Sequence, residues 1–343
     1  MKELLNTLYV MTQDSYLRID HDTLRLEVGG ERRLITPIHH LQSLVLFGNV
    51  MATPFVFHRF AEDNRTVVFL DYRGRFKGRL EGPQTGNVLL RRAQHMIVDD
   101  QERAVFLSKA MVAGKIQNAR QVLLRAARDS GNDEEKKQLR VAAEIMATAL
   151  QSLGGASSLN EVRGFEGHAA ETYFSVFSLM VRADREHFAM NGRNRRPPLD
   201  PVNALLSFLY ALLLNDCLSA LQSVGLDCQV GVLHGLRSGR PGLGLDLMEE
   251  FRSFIADRLA LSLINRKQIT GEDFETRPGG AVYLVEAGRR KVITEYQRRK
   301  QEKITHPLLK QEIVVGLLPF VQARLLARFI RGDAEAYLPF LVR

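Results

Sequence analysis

The chain has 343 residues, 45% of them hydrophobic, and its 47 lysines and arginines against 39 aspartates and glutamates give a formal charge of +8. That is ample material for the buried core of one large domain or of two, and the cationic excess favours polyanions such as nucleic acid or an anionic membrane surface. The two cysteines, Cys217 and Cys228, sit in apolar surroundings without the spacing of a zinc site, so reduced thiols in a cytoplasmic protein are expected rather than a disulfide or a Cys-ligated metal.

The opening "MKELLNTLYVMTQDSY" carries a polar residue every few positions and no small-residue cleavage site, so no secretory signal is expected. Residues 1–80 then read as short strands: "LYVMT", "YLRID", "TLRLEV", "RRLITPI", "SLVLFG", "TVVFLDY" and "RFKGRLEG", rich in β-branched and aromatic residues and separated by turn residues. One helix, near "TPFVFHRFAED", interrupts them. The expected fold class is α+β, with a small, mostly antiparallel N-terminal β domain followed by a larger, mainly helical one. "EGPQTGN", residues 81–87, is the expected linker, because Gly and Pro there stop both patterns.

Over residues 88–343 the helical period dominates, as in "LLRRAQHMIVDDQERAVFLSKAMVAGKIQNARQVLLRAA", with one apolar and one charged face. Interruptions fall at "RDSGND", "LGGASSL", "NGRNRRPPLDP" and "HGLRSGRPGLG", and "FETRPGGAVYLVE" predicts a small hairpin around Pro278, Gly279 and Gly280. The longest apolar run, "ALLSFLYALLLNDCLSAL", meets Asn215 and Asp216 before the roughly 20 residues that a membrane crossing needs, so a buried helix is expected.

Chemistry concentrates in "VLHGLRSGRPGLGLDLMEEFR". Asp246 and Glu249 are three residues apart, so on a helix their carboxylates share a face and can converge on one ion. Upstream, "GRPGLG" is too rich in Gly and Pro for a helix, which lets the chain fold back and bring His234 toward the same point. In "VRGFEGHAAETYFSVFSLM", Glu166 stands between Gly164 and Gly167 at the expected start of an apolar helix. Carboxylates with one imidazole form the donor set of Mg²⁺ or Mn²⁺, and such an ion can neutralise a phosphodiester and polarise an attacking hydroxyl. The same residues also fit a plainer account, in which an acidic pair complements a helix N-terminus and the histidine is a loop residue.

Basic residues form two further groups. Arg193, Arg195 and Arg196 lie on the Pro-ended loop before Asp200, which with Pro201 suits a helix N-terminus; Arg289, Arg290 and Lys291 lie in "EAGRRKVITEYQRRKQEK". Both can serve as phosphate-binding rims or as exposed, solvated faces.

"RGFEGHAAETYF", "NRRPPLDPVNALLSFLYALL" and "VGVLHGLRSGRPGLGLDLMEEFR", in this order and spacing, resemble the CRISPR-associated adaptation integrase, the near-universal first-numbered Cas protein. "LFGNVMATPFVFHRFAEDNRTVVFLDYRGRFKGRLEGPQTGNVLLRRAQ", "AGKIQNAR" and "GRRKVITEYQRR" extend the likeness over nearly the whole chain, in the style of the type I-C branch. The resemblance implies a metal-dependent DNA endonuclease and integrase that inserts foreign fragments into a repeat array by attack of a 3′-hydroxyl on a phosphodiester. The family's metal ligands carry over to Glu166, His234 and Glu249, with Asp246 as a further acidic position of the catalytic site; Mg²⁺ or Mn²⁺ is the implied cofactor. Arg193, Arg195, Arg196, Arg289, Arg290 and Lys291 become the candidates for holding double-stranded DNA. The implied partners are a second copy through the β domain (a homodimer), the small ferredoxin-like second-numbered Cas protein, and the iron–sulfur nuclease that is the fourth-numbered one. A nuclease of branched or repair-intermediate DNA and a non-catalytic DNA-binding scaffold are the alternatives.

Overall fold

The computed structural model describes residues 6–342 apart from 64, 73, 75, 81 and 83–87. The expected linker, residues 81–87, therefore lies outside the described residues save for Gly82. The chain divides into two compact units, Met1–Thr85 and Gly86–Arg343.

Among the described residues the first unit holds eight strands and one α-helix: β1 (Asn6–Val10), β2 (Ser15–Asp20), β3 (Thr23–Val28), β4 (Glu31–Pro37), β5 (Leu41–Phe47), β6 (Val50–Ala52), α1 (Pro54–Glu62), β7 (Thr66–Leu70) and β8 (Phe76–Leu80). One four-stranded sheet has the order β4-β3-β2-β6 and the other β1-β5-β7-β8. The β2-β3-β4 meander is antiparallel, as its short turns require. The unit as a whole departs from the mostly antiparallel expectation: β1 and β7 both pair parallel with β5, and β6 pairs parallel with β2. The cause is α1, whose crossover returns the chain so that β7 runs alongside β5. Its sequence sign is the unbroken apolar runs "LVLF" and "VVFL", which do not alternate as a strand with one wet face does. Val10, Leu17, Leu24, Leu44, Val56, Phe60 and Val67 close the core between the layers, each contributing roughly 1.5–3 kcal/mol on full burial.

The second unit is helical: α2 (Val88–Asp99), α3 (Gln101–Asp129), α4 (Asp133–Leu153), α5 (Leu159–Ser175), α6 (Pro201–Ser223), α7 (Gly242–Met248), α8 (Arg258–Asn265), α9 (Glu286–Gln301) and α10 (Leu318–Arg331). Caps set the boundaries. Asp100, Asn132, Ser158 and Asp200 each accept a backbone N–H of the first turn they precede. The hairpin of β9 (Phe274–Thr276) and β10 (Val282–Leu284) turns at Gly279 and Gly280, both at positive φ. A second hairpin, β11 (Lys303–Thr305) with β12 (Glu312–Val314), was not foreseen. α6 is long and apolar enough to cross a membrane, but 61% of its apolar window is buried within the protein, which makes it the central core helix. It runs on through Asn215 and Asp216, because Asp216 is paired: it takes Lys300 Nζ at 2.9 Å and the Tyr296 hydroxyl at 2.7 Å.

Candidate active site

The loop between α6 and α7 carries His234, and three side chains outside it fix its path. Gln94 on α2 donates to the carbonyls of Asp227 and Val230, both at 2.8 Å, and accepts from Asp227 N–H at 3.0 Å. Arg163 on α5 donates to the Leu233 carbonyl at 2.8 Å. Gly231 then passes so close to the start of α7 that a Cβ there would lie 2.4 Å from the carbonyl carbon of Gly242, so only glycine permits the fold-back. The third side chain is Asp246, fully buried on α7. It accepts the backbone N–H groups of Val232 (2.7 Å), Leu233 (3.1 Å) and His234 (3.0 Å), and the His234 Nδ1–H at 2.6 Å.

That last bond decides the histidine's chemistry. With Nδ1 donating to a carboxylate, Nε2 is left as the free lone pair, and it faces Glu249 Oε1 at 3.8 Å. Asp246 and Glu249 therefore do not converge on one point, as their spacing suggested: Asp246 stands behind the imidazole and Glu249 in front of it. The helix changes character here. α7 ends at Met248, and after a turn the chain continues as a π-helical segment, Arg252–Asp257, before α8. Such widened turns recur at functional sites because they re-aim side chains.

Glu249 is buried and surrounded by cations. Arg252 lies 3.0 Å from Oε1 and Lys115 Nζ 2.8 Å from Oε2. Burial alone would raise this carboxyl, but the Arg252 guanidinium and the Lys115 ammonium hold it at about 2. Lys115, on α3, also pairs with Glu166, so one ammonium bridges two carboxylates from different helices. Glu166 is in the middle of α5, not at its start, since the helix begins seven residues earlier behind the Ser158 cap. Gly164 and Gly167 do leave open space beside it.

Lys115, Glu166 and Arg252 line a cleft of about 700 Å³ together with Arg193, Arg195 and Tyr210, and Glu249 and, through it, His234 adjoin that wall by their contacts with Lys115 and Arg252. Arg193 reaches it from the Pro-ended loop, donating to Asn203 Oδ1 at 2.6 Å and Ser207 Oγ at 3.2 Å. Its guanidinium and that of Arg252 pack against the Tyr210 ring, 5.4 and 5.2 Å from its centroid. Beneath, the Tyr210 hydroxyl donates to Asp257 at 2.6 Å, and burial pushes Asp257 up to about 6 despite that bond and the nearby arginines.

The remaining basic candidates part company with this cleft. Arg196 is exposed on the same loop. Arg289 is a correction: it is buried, and its guanidinium donates to the Leu284 carbonyl, which ties α9 to the hairpin instead of offering a charge to solvent. Arg290 pairs with Glu286 at 2.8 Å one turn away, and Lys291 with the capping carboxylate of Asp273 at 2.8 Å. None of these three lines the cleft.

Lys115 and Arg252 are not among the residues the sequence singles out, although Lys115 left a sign. Lys115 lies on the buried stripe of α3 among Met111, Val112 and Ala119, and Asn118 follows one turn on; two polar groups in an apolar face call for partners. Asn118 donates to the carbonyls of Glu250 and Phe340, both at 2.8 Å, and accepts from Val342 N–H. Glu250 itself, pushed up to about 7 by burial, accepts from Tyr337, from Phe340 N–H at 2.7 Å and from Gln322 at 3.0 Å. The residues next to Lys115 and Glu249 are thus bound into one buried network.

Among the described residues, no three His, Cys, Asp or Glu side chains are already closed around a common point. The donor set nevertheless fits a hard divalent cation. A neutral His234 ring that donates Nδ1–H to Asp246 offers Nε2 as a ligand atom, Glu249 Oε2 has no aligned hydrogen bond, and a cationic group already stands between the two carboxylates.

The helical unit thus gathers an imidazole, two acids and cationic side chains, while the other unit is built of strands; residues 8–298 match CRISPR associated protein Cas1, and the chain belongs to that family. It is 53% identical, over the whole of both chains, to CRISPR-associated endonuclease Cas1 1 of Moorella thermoacetica. It is 38% identical to a CRISPR-associated exonuclease Cas4/endonuclease Cas1 fusion of Geobacter sulfurreducens, of which it spans 60%. The fold is shared with a casposase bound to integration product (TM-score 0.82, 22% identity, 97% of this chain and 92% of that one). It is shared too with a chain of a Cas6-RT-Cas1–Cas2 complex (TM-score 0.82, 24% identity, 98% of this chain and 36% of that one).

Proposed function

We propose that this protein is a divalent-metal-dependent DNA endonuclease and integrase that joins the 3′-hydroxyl of a DNA fragment to a phosphodiester at the border of a CRISPR repeat. The observation that carries the proposal is the His234 side chain: Asp246 fixes its tautomer so that Nε2 points at Glu249, with Glu166 across the Lys115 ammonium. Glu166, His234 and Glu249 would hold Mg²⁺ or Mn²⁺, and Asp246 is a positioning residue that acts through the imidazole. The ion, when bound, supplies Lewis-acid stabilisation of charge on the phosphoryl oxygens.

The chain's own groups do the rest. Arg252 and Lys115 place positive charge where the attacked phosphate gains negative charge, and the low dielectric of the site strengthens that effect. Arg193 and Arg195 at the cleft wall hold the flanking backbone, contacts that position DNA without reading its sequence. Arg196, Arg290 and Lys291, exposed or half-exposed, remain candidates for outer phosphates. The Cas1–Cas2 and Cas4/Cas1 relatives support a Cas2-like and a Cas4-like partner, and the β unit would serve a homodimer; action on a cellular repeat array places the protein in the cytoplasm.

The test supplies a labelled fragment with a free 3′-hydroxyl, a plasmid carrying the repeat, and Mn²⁺. Covalent joining of the label to the repeat border, abolished by EDTA and restored by Mn²⁺, is the expected result. Cleavage without joining would favour a nuclease of branched DNA, and binding with neither would favour a scaffold.

A further inference from the structure

Charge balance at the cleft leads beyond the ligand set. Before any ion enters, Glu166 and Glu249 contribute two negative charges, and Lys115 and Arg252 two positive ones. The two cations are not equivalent. Arg252 touches one carboxylate, whereas the Lys115 ammonium touches both, at the position where an ion shared by those carboxylates would have to stand. Arginine's planar fork is fixed by its geometry, but lysine is a point charge on a flexible stem that can leave and return.

We propose that Lys115 is a resident counter-cation: it holds Glu166 and Glu249 together in the absence of a divalent ion, is displaced when the ion enters, and then offers its ammonium to the DNA phosphate in the cleft. The inference rests on the metal-site assignment above and concerns the order in which the site is filled. Two features of the surroundings support it. Lys115 borders both the large cleft and a small inner cavity of about 30 Å³ beside Tyr173, Tyr210 and Asp257, so its stem has room to swing without moving α3. Without a phosphate, a divalent ion added to this balanced four-group cluster leaves it two surplus positive charges; a phosphodiester removes one of them and gives the displaced ammonium a partner. Ion and DNA should therefore bind with positive coupling, and Lys115 should carry much of it.

The measurement is Mn²⁺ binding by electron paramagnetic resonance, without DNA, for the full chain and for Lys115→Met, which keeps the length of the side chain and removes its charge. Deleting a competing cation from between two carboxylates should tighten Mn²⁺ binding about tenfold or more. Adding DNA should tighten it in the parent protein and much less in the variant. Equal or weaker Mn²⁺ binding by a variant with an unchanged Tm overturns the proposal. Should Lys115→Met not fold, crystals of the parent protein with and without Mn²⁺ decide: Nζ must leave Glu249 Oε2, now 2.8 Å away, and an ammonium that still bridges both acids beside a bound ion overturns it. Absence of Mn²⁺ binding in both proteins, unaffected by His234→Ala, would instead bring down the metal site itself and this proposal with it.

Discussion

His234→Ala is expected to lower Mn²⁺-dependent cleavage and strand transfer by roughly a thousandfold or more, with DNA affinity and Tm close to those of the parent protein. The imidazole stands between Asp246 and Glu249, and both carboxylates and the neighbouring arginines remain after its removal. In the proposed complex the DNA would be held by cations on the cleft wall, so a filter-binding curve should scarcely move. Near-parental turnover in this variant would contradict the ligand assignment.

Asp246→Ala should behave differently, because this carboxylate holds the loop as well as the ring. Its removal strands two buried backbone N–H groups, of Val232 and Leu233, and the half-buried N–H and imidazole Nδ1–H of His234. Each orphaned donor costs about 1–3 kcal/mol, so a destabilisation on the order of 4 kcal/mol is expected along with loss of activity. Denaturant unfolding checks it: a large drop in midpoint for Asp246→Ala beside a small one for His234→Ala distinguishes a loop anchor from a ligand. Similar midpoints for the two variants would show that the loop is held by other means.

The contrast between these variants also shows how far the sequence could be read. The fold-back was legible from the glycine-rich turn, but "GRPGLG" is non-helical only as far as Pro241: α7 begins at Gly242, and the close approach of Gly231 to that helix start is what requires glycine. The separate roles of Asp246 and Glu249 were not: helical spacing places both on one side, and only the loop laid over α7 puts the imidazole between them. Lys115 lies 51 residues before Glu166 and 134 before Glu249 in the sequence, and its position as the bridging cation comes wholly from the packing of α3 against α5 and the π-helical segment. Charge runs misled at Arg289, since a run records how many cations a helix carries but not which one turns inward to satisfy the Leu284 carbonyl. In the first unit the strands themselves were clear from composition, while their pairing sense followed from one crossover helix whose consequence is tertiary.

The most direct measurement is anomalous diffraction at the manganese edge from a crystal soaked in Mn²⁺. A single strong peak is expected within about 2.5 Å of carboxylate oxygens of Glu166 and Glu249 and of His234 Nε2, with Asp246 still bound to Nδ1 on the far side of the ring. A peak coordinated by other residues, or none in a crystal where His234 and Glu249 face each other as here, would contradict the ligand assignment.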